Sequence, residues 1–140
     1  MRTVIVYSST LGTTRRYAMW LREALEADLA KASATRRRIE DYDLVIICSP
    51  TCMGQVKLNG YLKKRWAALK ERNVILVVVG MMSQEHPDSV RAYQSIPGEI
   101  RSRIKYFKLP GKIGPINKDK VRQENLQPIL EYIRATRGLW

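Results

Sequence analysis

The chain has 140 residues, of which 45% are hydrophobic and 27% are charged, which is typical of a folded protein and argues against disorder. Lys and Arg number 25 against 13 Asp and Glu, so the net charge at pH 7 is +12. Two cysteines and one histidine are too few for a zinc site or a disulfide scaffold, and the apolar runs are too short to span a membrane. We therefore expect one domain over residues 1–140, without a signal peptide or a metal, in a reducing cytoplasm.

The positive charge is concentrated in two segments. Residues 57–72 hold six Lys or Arg against Glu71, and residues 101–122 hold eight against Asp119. The rest of the chain holds as many acidic as basic side chains. This confinement predicts a basic surface for an acidic or polyanionic partner, although a pair of solvated faces explains it equally well.

Short apolar strands and amphipathic helices alternate along the chain. Thr3–Tyr7 is a mostly β-branched run, typical of a strand buried on both faces. Helical spacing begins near Thr13, with one apolar stripe formed by Ala18, Leu21, Leu25 and Leu29. Residues 43–49 predict a second buried strand. The helix expected after it is marked by Leu58, Tyr61, Leu62, Trp66 and Leu69.

The second half continues the alternation. Asn73–Gly80 predicts a third buried strand, and a short helix is expected over residues 88–95 with Asp88 as its N-cap. In residues 104–109, apolar and aromatic side chains alternate with lysines, as in an edge strand. A last helix, ending near Gly138, is marked by Leu126, Ile129, Leu130 and Ile133. Pro128 either occupies the first turn of that helix or kinks it.

This alternation predicts an α/β fold in which a parallel sheet is covered by helices on both faces. Such sheets bind ligands at the carboxyl ends of their strands, so the loops after Tyr7, Cys48 and Val79 form the candidate site. The stretch between the first helix and the second buried strand is too short for a full crossover. We expect a reduced strand near residues 32–35 and a vestigial helix after it, in the region of the three consecutive arginines at 36–38.

The loop after the first strand, residues 8–14, reads SSTLGTT and is here called the phosphate loop. It matches neither the GxGxxG dinucleotide fingerprint nor the GxxxxGK[ST] loop of NTPases. Its five hydroxyls, its glycine and the helix start that follows supply O–H and N–H donors and a positive dipole end, which favour a phosphate. No lysine or arginine lies inside it, so neutral donors would hold the phosphate. A capped helix start with spare hydroxyls is the structural alternative.

Residues 7–14 resemble the S/T-x-T-G-x-T phosphate loop of flavodoxins, which holds the phosphate of FMN, with Leu11 and Thr13 where Thr and Asn are usual. Residues 48–55 (CSPTCMGQ) resemble the flavodoxin loop beside the isoalloxazine ring, and residues 80–85 the loop on its other side. The resemblance covers the whole chain and implies a three-layer sandwich with a five-stranded parallel sheet in the order 2-1-3-4-5. The FMN-binding residues that it implies are Ser9, Thr10, Leu11, Gly12, Thr13, Thr14, Ser49, Pro50, Thr51, Cys52, Met53, Gly54, Gln55, Gly80, Met81, Met82 and Ser83.

The resemblance also implies roles for individual residues. Met53 would pack against the flavin ring, and the Gly54–Gln55 peptide would turn toward flavin N5 on reduction, which a glycine permits because it tolerates positive φ. The usual stacking aromatic is missing from the third loop, where Met81 or Met82 would replace it. Residues 60–64 and 104–112 resemble the branch that includes menaquinone-dependent protoporphyrinogen oxidase.

The implied function is that of an FMN-binding redox protein that transfers electrons to an acidic redox partner protein or an anionic small-molecule substrate. A protoporphyrinogen oxidase-type flavoenzyme is one alternative, and a flavin-free module that binds an acidic protein or nucleic acid is another. Nucleic acid is disfavoured, because Tyr106 and Phe107 alternate as in an edge strand and basic segments alone are weak grounds. Peripheral contact with a membrane stays open.

The cysteines and the histidine carry no assigned catalytic role. Cys48 and Cys52 do not form the CxxC of a thiol redox couple, and neither begins the CxxxxxR motif of small phosphatases. Cys48 is expected in the core, whereas Cys52 could approach a flavin. His86 is expected on the surface, with proton transfer at the flavin as the alternative.

Overall fold

The computed structural model describes residues 1–34 and 38–140. Its strands are β1 (Thr3–Tyr7), β2 (Asp28–Lys31), β3 (Leu44–Cys52), β4 (Gln55–Val56), β5 (Asn73–Gly80) and β6 (Lys105–Pro110). Five of them run parallel in the order β2-β1-β3-β5-β6, while β4 pairs antiparallel with the end of β3. With β4 set aside, this is the predicted order 2-1-3-4-5, so the predicted sheet is confirmed.

Helices cover both faces of the sheet. They are α1 (Thr13–Leu25), α2 (Asn59–Leu69), α3 (Pro87–Ser95), α4 (Gly98–Arg101) and α5 (Gln127–Thr136). Short 3-10 turns lie at Ile39–Asp41, Lys118–Lys120, Gln123–Leu126 and Arg137–Leu139. Among the described residues, no helix combines the length and the apolar character that crossing a bilayer requires.

The side chains of β3 show how the two halves of the core are divided. Leu44, Ile46 and Cys48 pack with the buried residues of α1 and α5, whereas Val45 and Ile47 pack with those of α2, α3 and α4. All five are fully buried. Because successive residues of a strand point to opposite faces, a strand covered on both sides must be apolar throughout. The three-layer sandwich is therefore confirmed.

The second strand lies earlier than predicted. Helix α1 ends at Leu25, because Glu26 takes a left-handed conformation with φ of 52° and closes the helix. Leu29, which fits the apolar stripe of α1, lies in β2 instead and pairs with Ile5. The prediction of a strand near residues 32–35 is wrong in position, although Ala32 N still donates to Tyr7 O at 2.8 Å and extends the pairing.

The connection from β2 to β3 is where the sequence predicts a vestigial helix. Thr35, Arg36 and Arg37 lie outside the described residues. In the described part of this connection the regular structure is the 3-10 turn at Ile39–Asp41, where a full crossover would place a helix. The buried Ile39 side chain anchors that turn to the core. The reduced second strand and vestigial helix are therefore confirmed.

The N-cap of α3 is His86 rather than the predicted Asp88. Asp88 N donates to His86 Nδ1 at 3.1 Å, and Pro87 takes the first helical position, where its missing N–H costs nothing. The cap therefore lies before the proline, not after it. Of the two places predicted for Pro128, the structure shows the first turn of α5.

Candidate functional site

Residues from all three predicted loops line one cavity of about 270 Å³ at the carboxyl edge of the sheet, here called the first cavity. The phosphate loop, the end of β3 and the end of β5 form its walls, and the segment after β6 closes it. Its lining residues are Thr10, Leu11, Thr13, Thr14, Pro50, Thr51, Cys52, Val79, Met81, Gly111, Lys112 and Ile113. The arrangement follows from the parallel order, which brings the ends of β1, β3 and β5 to the same edge.

The phosphate loop ends in an open helix start. Gly12 is the N-cap of α1 with φ of 88°, a conformation that favours glycine, and no side chain caps the helix. Ser9 Oγ accepts from Gly12 N at 3.0 Å, which holds the loop in its turn. Thr13 Oγ1 is buried and has no hydrogen-bond partner among the described residues. The first turn of α1 therefore offers backbone N–H groups and a buried hydroxyl that require an acceptor.

The charge at the start of α1 is the opposite of what an isolated helix favours. The first turn contains no acidic residue. Arg15 and Arg16 follow Thr14 directly, at the positive end of the helix dipole. Cations there are unfavourable by about 0.3–1 kcal/mol each when nothing offsets them. An anion in the phosphate loop would offset this cost.

Lys57 brings a cation to the phosphate loop that sequence reasoning missed. Its Nζ donates to Thr10 Oγ1 at 3.1 Å, and its backbone N donates to Pro50 O at 3.0 Å. The loop itself contains no lysine or arginine, as the sequence shows, but a phosphate there would not be held by neutral donors alone. The available signal was position, because Lys57 is the first residue of the basic segment 57–72 and lies two residues after the predicted loop 48–55.

The second loop is a tight β-hairpin. Strand β3 continues to Cys52, turns at Met53 and Gly54, and returns as β4, with Cys52 paired to Gln55. Met53 has φ of 52° and Gly54 has φ of 75°, which is the two-residue turn that suits right-twisted hairpins. The expected positive φ of Gly54 is therefore present. Met53 is 96% exposed, so its side chain stands free at the hairpin tip.

Arg91 of α3 lies against this hairpin tip, another residue that sequence reasoning missed. A Cβ added to Gly54 would approach Arg91 Cδ to 3.1 Å and Nη1 to 3.3 Å. Arg91 Nη1 in turn bonds to Asp88 Oδ1 at 3.1 Å. The positive φ is therefore the main reason for a glycine here, since the exposed Arg91 side chain could shift to admit a Cβ.

Ser49 is placed differently from the other residues of its loop. It is fully buried, its Oγ accepts from Leu58 N at 3.0 Å, and its hydroxyl donates to Pro50 O at 2.9 Å. Ser49 therefore helps to position the start of α2 and does not line the first cavity. Gln55 lies exposed on β4, beside the turn rather than in the cavity.

Polar side chains from later parts of the chain hold the third loop, residues 80–85. Lys108 Nζ donates to Gly80 O at 2.9 Å and to Met82 O at 2.7 Å, and Asn117 Nδ2 donates to Met81 O at 2.9 Å. Burial lowers the pKa of Lys108 to about 8. The alternation in residues 104–109 predicts a solvated Lys108, but its amine bonds to carbonyl groups of the third loop.

The two candidate ring-packing methionines are not equivalent. Met81 lines the first cavity, whereas Met82 is exposed and does not line it, and Ser83 is exposed as well. Gly80 lies close to the neighbouring strand, because a Cβ there would reach Thr51 Oγ1 at 3.0 Å. The structure therefore brings Met81, and not Met82, to the cavity wall.

The two cysteines have different environments. Cys48 is fully buried in the core, and burial raises the pKa of its thiol to about 12, so it stays protonated and unreactive. Cys52 is exposed, is not in a disulfide, and lines the first cavity. Its position beside the phosphate loop matches the expectation that it could approach a ligand there.

Part of the excess basic charge serves the fold. Arg103 Nη2 donates to Lys70 O at 3.2 Å, which joins the two basic segments. The Arg101 guanidinium donates to Gln94 O at 3.2 Å and lies over the Tyr93 ring. Both guanidinium groups are held by neutral partners, which fix the position of their charges without cancelling them.

Solved structures share this fold at low sequence identity. A Fusobacterium nucleatum flavodoxin bound to flavin mononucleotide is 14% identical, with 96% of this chain and 98% of that chain covered and a TM-score of 0.65. A flavodoxin from the domain Archaea is 14% identical, with coverage of 96% and 99% and a TM-score of 0.61. A Lactobacillus acidophilus flavoprotein in complex with FMN is 14% identical, with coverage of 78% and 91% and a TM-score of 0.52.

The family of the chain is shown by its sequence. No curated protein matches the chain. The family model of the flavodoxin domain matches residues 4–127, which extend from β1 to the start of α5 and include all three loops of the first cavity. The chain therefore belongs to the flavodoxin domain family.

Proposed function

We propose that this protein binds FMN non-covalently and transfers electrons through it. One observation carries the proposal: the buried Thr13 Oγ1 has no hydrogen-bond partner in residues 1–34 and 38–140, and Thr13 lies at the start of α1 and lines the cavity shared by three loops. A buried donor without an acceptor costs about 1–3 kcal/mol, which a bound phosphate would recover. The flavodoxin bound to flavin mononucleotide and the flavoprotein in complex with FMN support the choice of ligand.

The residues present fit the phosphate of FMN. Thr13 Oγ1 and the first-turn N–H groups of α1 would donate to its oxygens, and the Thr10 hydroxyl would be held in place by Lys57. Arg15 and Arg16 would gain an anion at the helix end where they lie. The phosphate would therefore be bound by neutral donors with cations immediately around them.

The first cavity offers the flavin ring apolar side chains and Cys52, the residue that precedes the hairpin turn. Leu11 and Met81 line it, and the Met53–Gly54 turn stands beside it. The bound flavin would supply the one-electron and two-electron chemistry, while the protein sets the potential through burial and nearby charge. Lys112 lines the cavity and would bring one positive charge near the flavin, whereas the charge of Arg91 is paired with Asp88.

Titration with FMN tests the proposal directly. Purified protein is expected to absorb in the flavin bands, and FMN-free protein is expected to quench the fluorescence of added FMN at micromolar concentration, with saturation at one flavin per chain. A chain that leaves FMN fluorescence unchanged throughout that range contradicts the proposal. That result would favour the flavin-free module for an acidic protein or nucleic acid.

The partner that we propose is an acidic redox protein or an anionic small molecule. The net charge of +12 supports it, together with the exposed Lys63 and Lys64 on α2 and the exposed Lys70 at its C-cap. Electron transfer to an acidic ferredoxin is expected to slow as the ionic strength rises, because salt screens attraction between exposed charges. A rate that does not depend on salt contradicts an electrostatically guided partner.

The protoporphyrinogen oxidase branch is a finer proposal that rests on sequence resemblance in residues 60–64 and 104–112. In the structure, the first of these segments is part of α2 and the second contains β6. Turnover of protoporphyrinogen with a quinone acceptor supports that branch. Electron transfer to a protein partner without such turnover supports a carrier.

A further inference from the structure

A fourth segment lines the first cavity beside the three predicted loops. Gly111, Lys112 and Ile113 follow β6 directly and are here called the fourth segment, and all three line the cavity. None of the cofactor-binding residues predicted from sequence lies in this part of the chain. The position of the segment follows from the sheet order, because β6 runs parallel to β5 and ends at the same edge.

The fourth segment is attached to the third loop on both sides. Gly111 N donates to Gly80 O at 2.9 Å. After the segment, Asn117 Nδ2 donates to Met81 O, also at 2.9 Å. Both bonds end on the backbone of the third loop. The backbone of Lys112 therefore has a fixed place at the cavity wall, between two attachments to the neighbouring loop.

Lys112 brings a charge to the cavity that no other side chain there balances. Among the described residues that line the first cavity, it is the only charged one. It is half-buried, and it forms no ion pair within residues 1–34 and 38–140. Its charge is therefore not cancelled by a carboxylate, and partial burial leaves it less screened by salt than a fully exposed charge.

The surroundings of the cavity add positive rather than negative charge. The phosphate loop, residues 48–55 and the fourth segment contain no Asp or Glu. The third loop contains Glu85, which is exposed and does not line the cavity. Lys57 and Lys108 bond to the phosphate loop and to the third loop. The field across the cavity therefore favours whichever state of a bound group carries more negative charge.

FMN changes its charge when it is reduced. Two-electron reduction takes two electrons from a donor and one proton from solvent, and it leaves the flavin ring with one more negative charge than the oxidised ring has. The phosphate is present in both states, so its attraction to a lysine stabilises both states equally. Attraction between a lysine and the ring stabilises the reduced state alone.

The size of the first cavity limits the opposing effect, which is the cost of burying a negative charge. Its volume of about 270 Å³ lies below the range of about 300–1,000 Å³ that is usual for sites that enclose a small molecule. The ring would therefore keep part of its contact with water. A partly hydrated anion costs less to bind than a fully buried one, so the attraction to Lys112 is expected to prevail.

We propose that Lys112 makes the protein bind reduced FMN more tightly than oxidised FMN, so that the bound flavin has a higher two-electron potential than free FMN. This inference rests on the proposed flavin function and adds to it the redox state that the site prefers. The lysine acts through its charge, so an arginine at the same position would replace it.

Reduction of the FMN-loaded chain against a reference dye measures the potential, with dithionite as the two-electron donor that is oxidised to sulfite. The wild type is expected above free FMN in the same buffer. Lys112→Gln is expected to weaken reduced FMN about fivefold relative to oxidised FMN, the effect of one half-buried charge. This lowers the potential by about 20 mV, since a tenfold ratio corresponds to about 30 mV for two electrons.

Two control variants separate the charge of Lys112 from other effects of substitution. Lys112→Arg keeps the charge and is expected to keep the potential of the wild type. Lys63→Gln removes an exposed lysine of α2 that does not line the cavity, and it is expected to leave the potential unchanged. A fall in potential of equal size in Lys63→Gln would show an effect of net charge and would overturn the role of Lys112.

A fluorescence titration with oxidised FMN distinguishes the possible failures. A chain that binds no FMN refutes the proposed function, and this inference with it. A chain that binds FMN with a potential at or below that of free FMN overturns the preference for reduced FMN alone. Equal weakening of both redox states in Lys112→Gln, with an unchanged potential, would place the lysine at the phosphate and not at the ring.

Discussion

Lys57 Nζ donates a 3.1 Å hydrogen bond to Thr10 Oγ1, across 47 residues of sequence. The bond joins the segment before α2 to the phosphate loop and places a cation beside that loop. Thr10 lines the first cavity, whereas Lys57 lines a separate space of about 600 Å³ that is also lined by Ser8, Ser9 and Gly12 of the phosphate loop. One lysine therefore contributes to the electrostatics on both sides of the loop.

Replacement of this lysine tests its contribution to phosphate binding. Lys57→Gln is expected to weaken FMN binding roughly threefold to tenfold, because a charge-assisted hydrogen bond to the loop is lost at a partly solvated position. The affinity of the wild type is expected to fall more steeply with salt than that of the variant. FMN titrations at several ionic strengths measure both effects, with Lys63→Gln as the exposed control. Equal affinities of Lys57→Gln and wild type would place Lys57 outside the phosphate site.

Thr13 provides a test in which stability and binding change in opposite directions. Thr13→Val keeps the shape of the side chain and removes a buried hydroxyl that has no partner in the described part of the chain, so the free energy of unfolding is expected to rise by about 1 kcal/mol. FMN binding is expected to weaken about tenfold, because a hydrogen bond to the phosphate is lost. Urea unfolding and FMN titration measure the two quantities. A loss of stability with unchanged affinity would show that the hydroxyl serves the fold alone.

Much of the architecture could be predicted from apolar patterning, because strands buried on both faces must be apolar throughout. The predicted third strand, Asn73–Gly80, coincides with β5 residue for residue. The assignment of Leu29 to the first helix is wrong. Leu29 lies four residues after Leu25 and so fits the helical spacing, but it belongs to β2. The helix ends before Leu29 because Glu26 takes a left-handed conformation, and a glutamate gives no sequence signal for that conformation.

The contacts that complete the site could not be predicted in the same way. Lys57, Arg91, Lys108 and Asn117 reach the loops from other elements, and only the order of the strands brings them together. A lysine on an edge strand has the same sequence pattern whether its amine is solvated or bonded to carbonyl groups. The loops were therefore predictable, whereas the side chains that hold and charge them were not.

Gly12 allows a test of charge at the phosphate loop with a matched neutral control. A Cβ added at this position meets no atom within 4 Å, and Asp and Asn both tolerate its positive φ better than most other non-glycine residues do. Gly12→Asp is expected to weaken FMN binding by roughly a hundredfold or more through repulsion of the phosphate, and Gly12→Asn much less. Far-UV circular dichroism is expected to stay unchanged in both. Equal losses in the two variants would indicate a steric effect and contradict an anion at this loop.

Lys108 predicts a specific dependence of stability on pH. Burial lowers the pKa of its amine to about 8 from the ordinary value of 10.5. Between these values the unfolded chain binds a proton that the folded chain has released, so the free energy of unfolding rises with pH across this window.

The variant Lys108→Met lacks this rise. The stability of wild type relative to Lys108→Met is therefore expected to be constant below about pH 8, to increase toward about pH 10.5 and then to level off. Urea unfolding of both proteins below, within and above the window measures the difference, which cancels the titration of groups that the two share. A constant difference through the window would mean that the folded chain keeps Lys108 charged, bonded to the carbonyl groups of Gly80 and Met82.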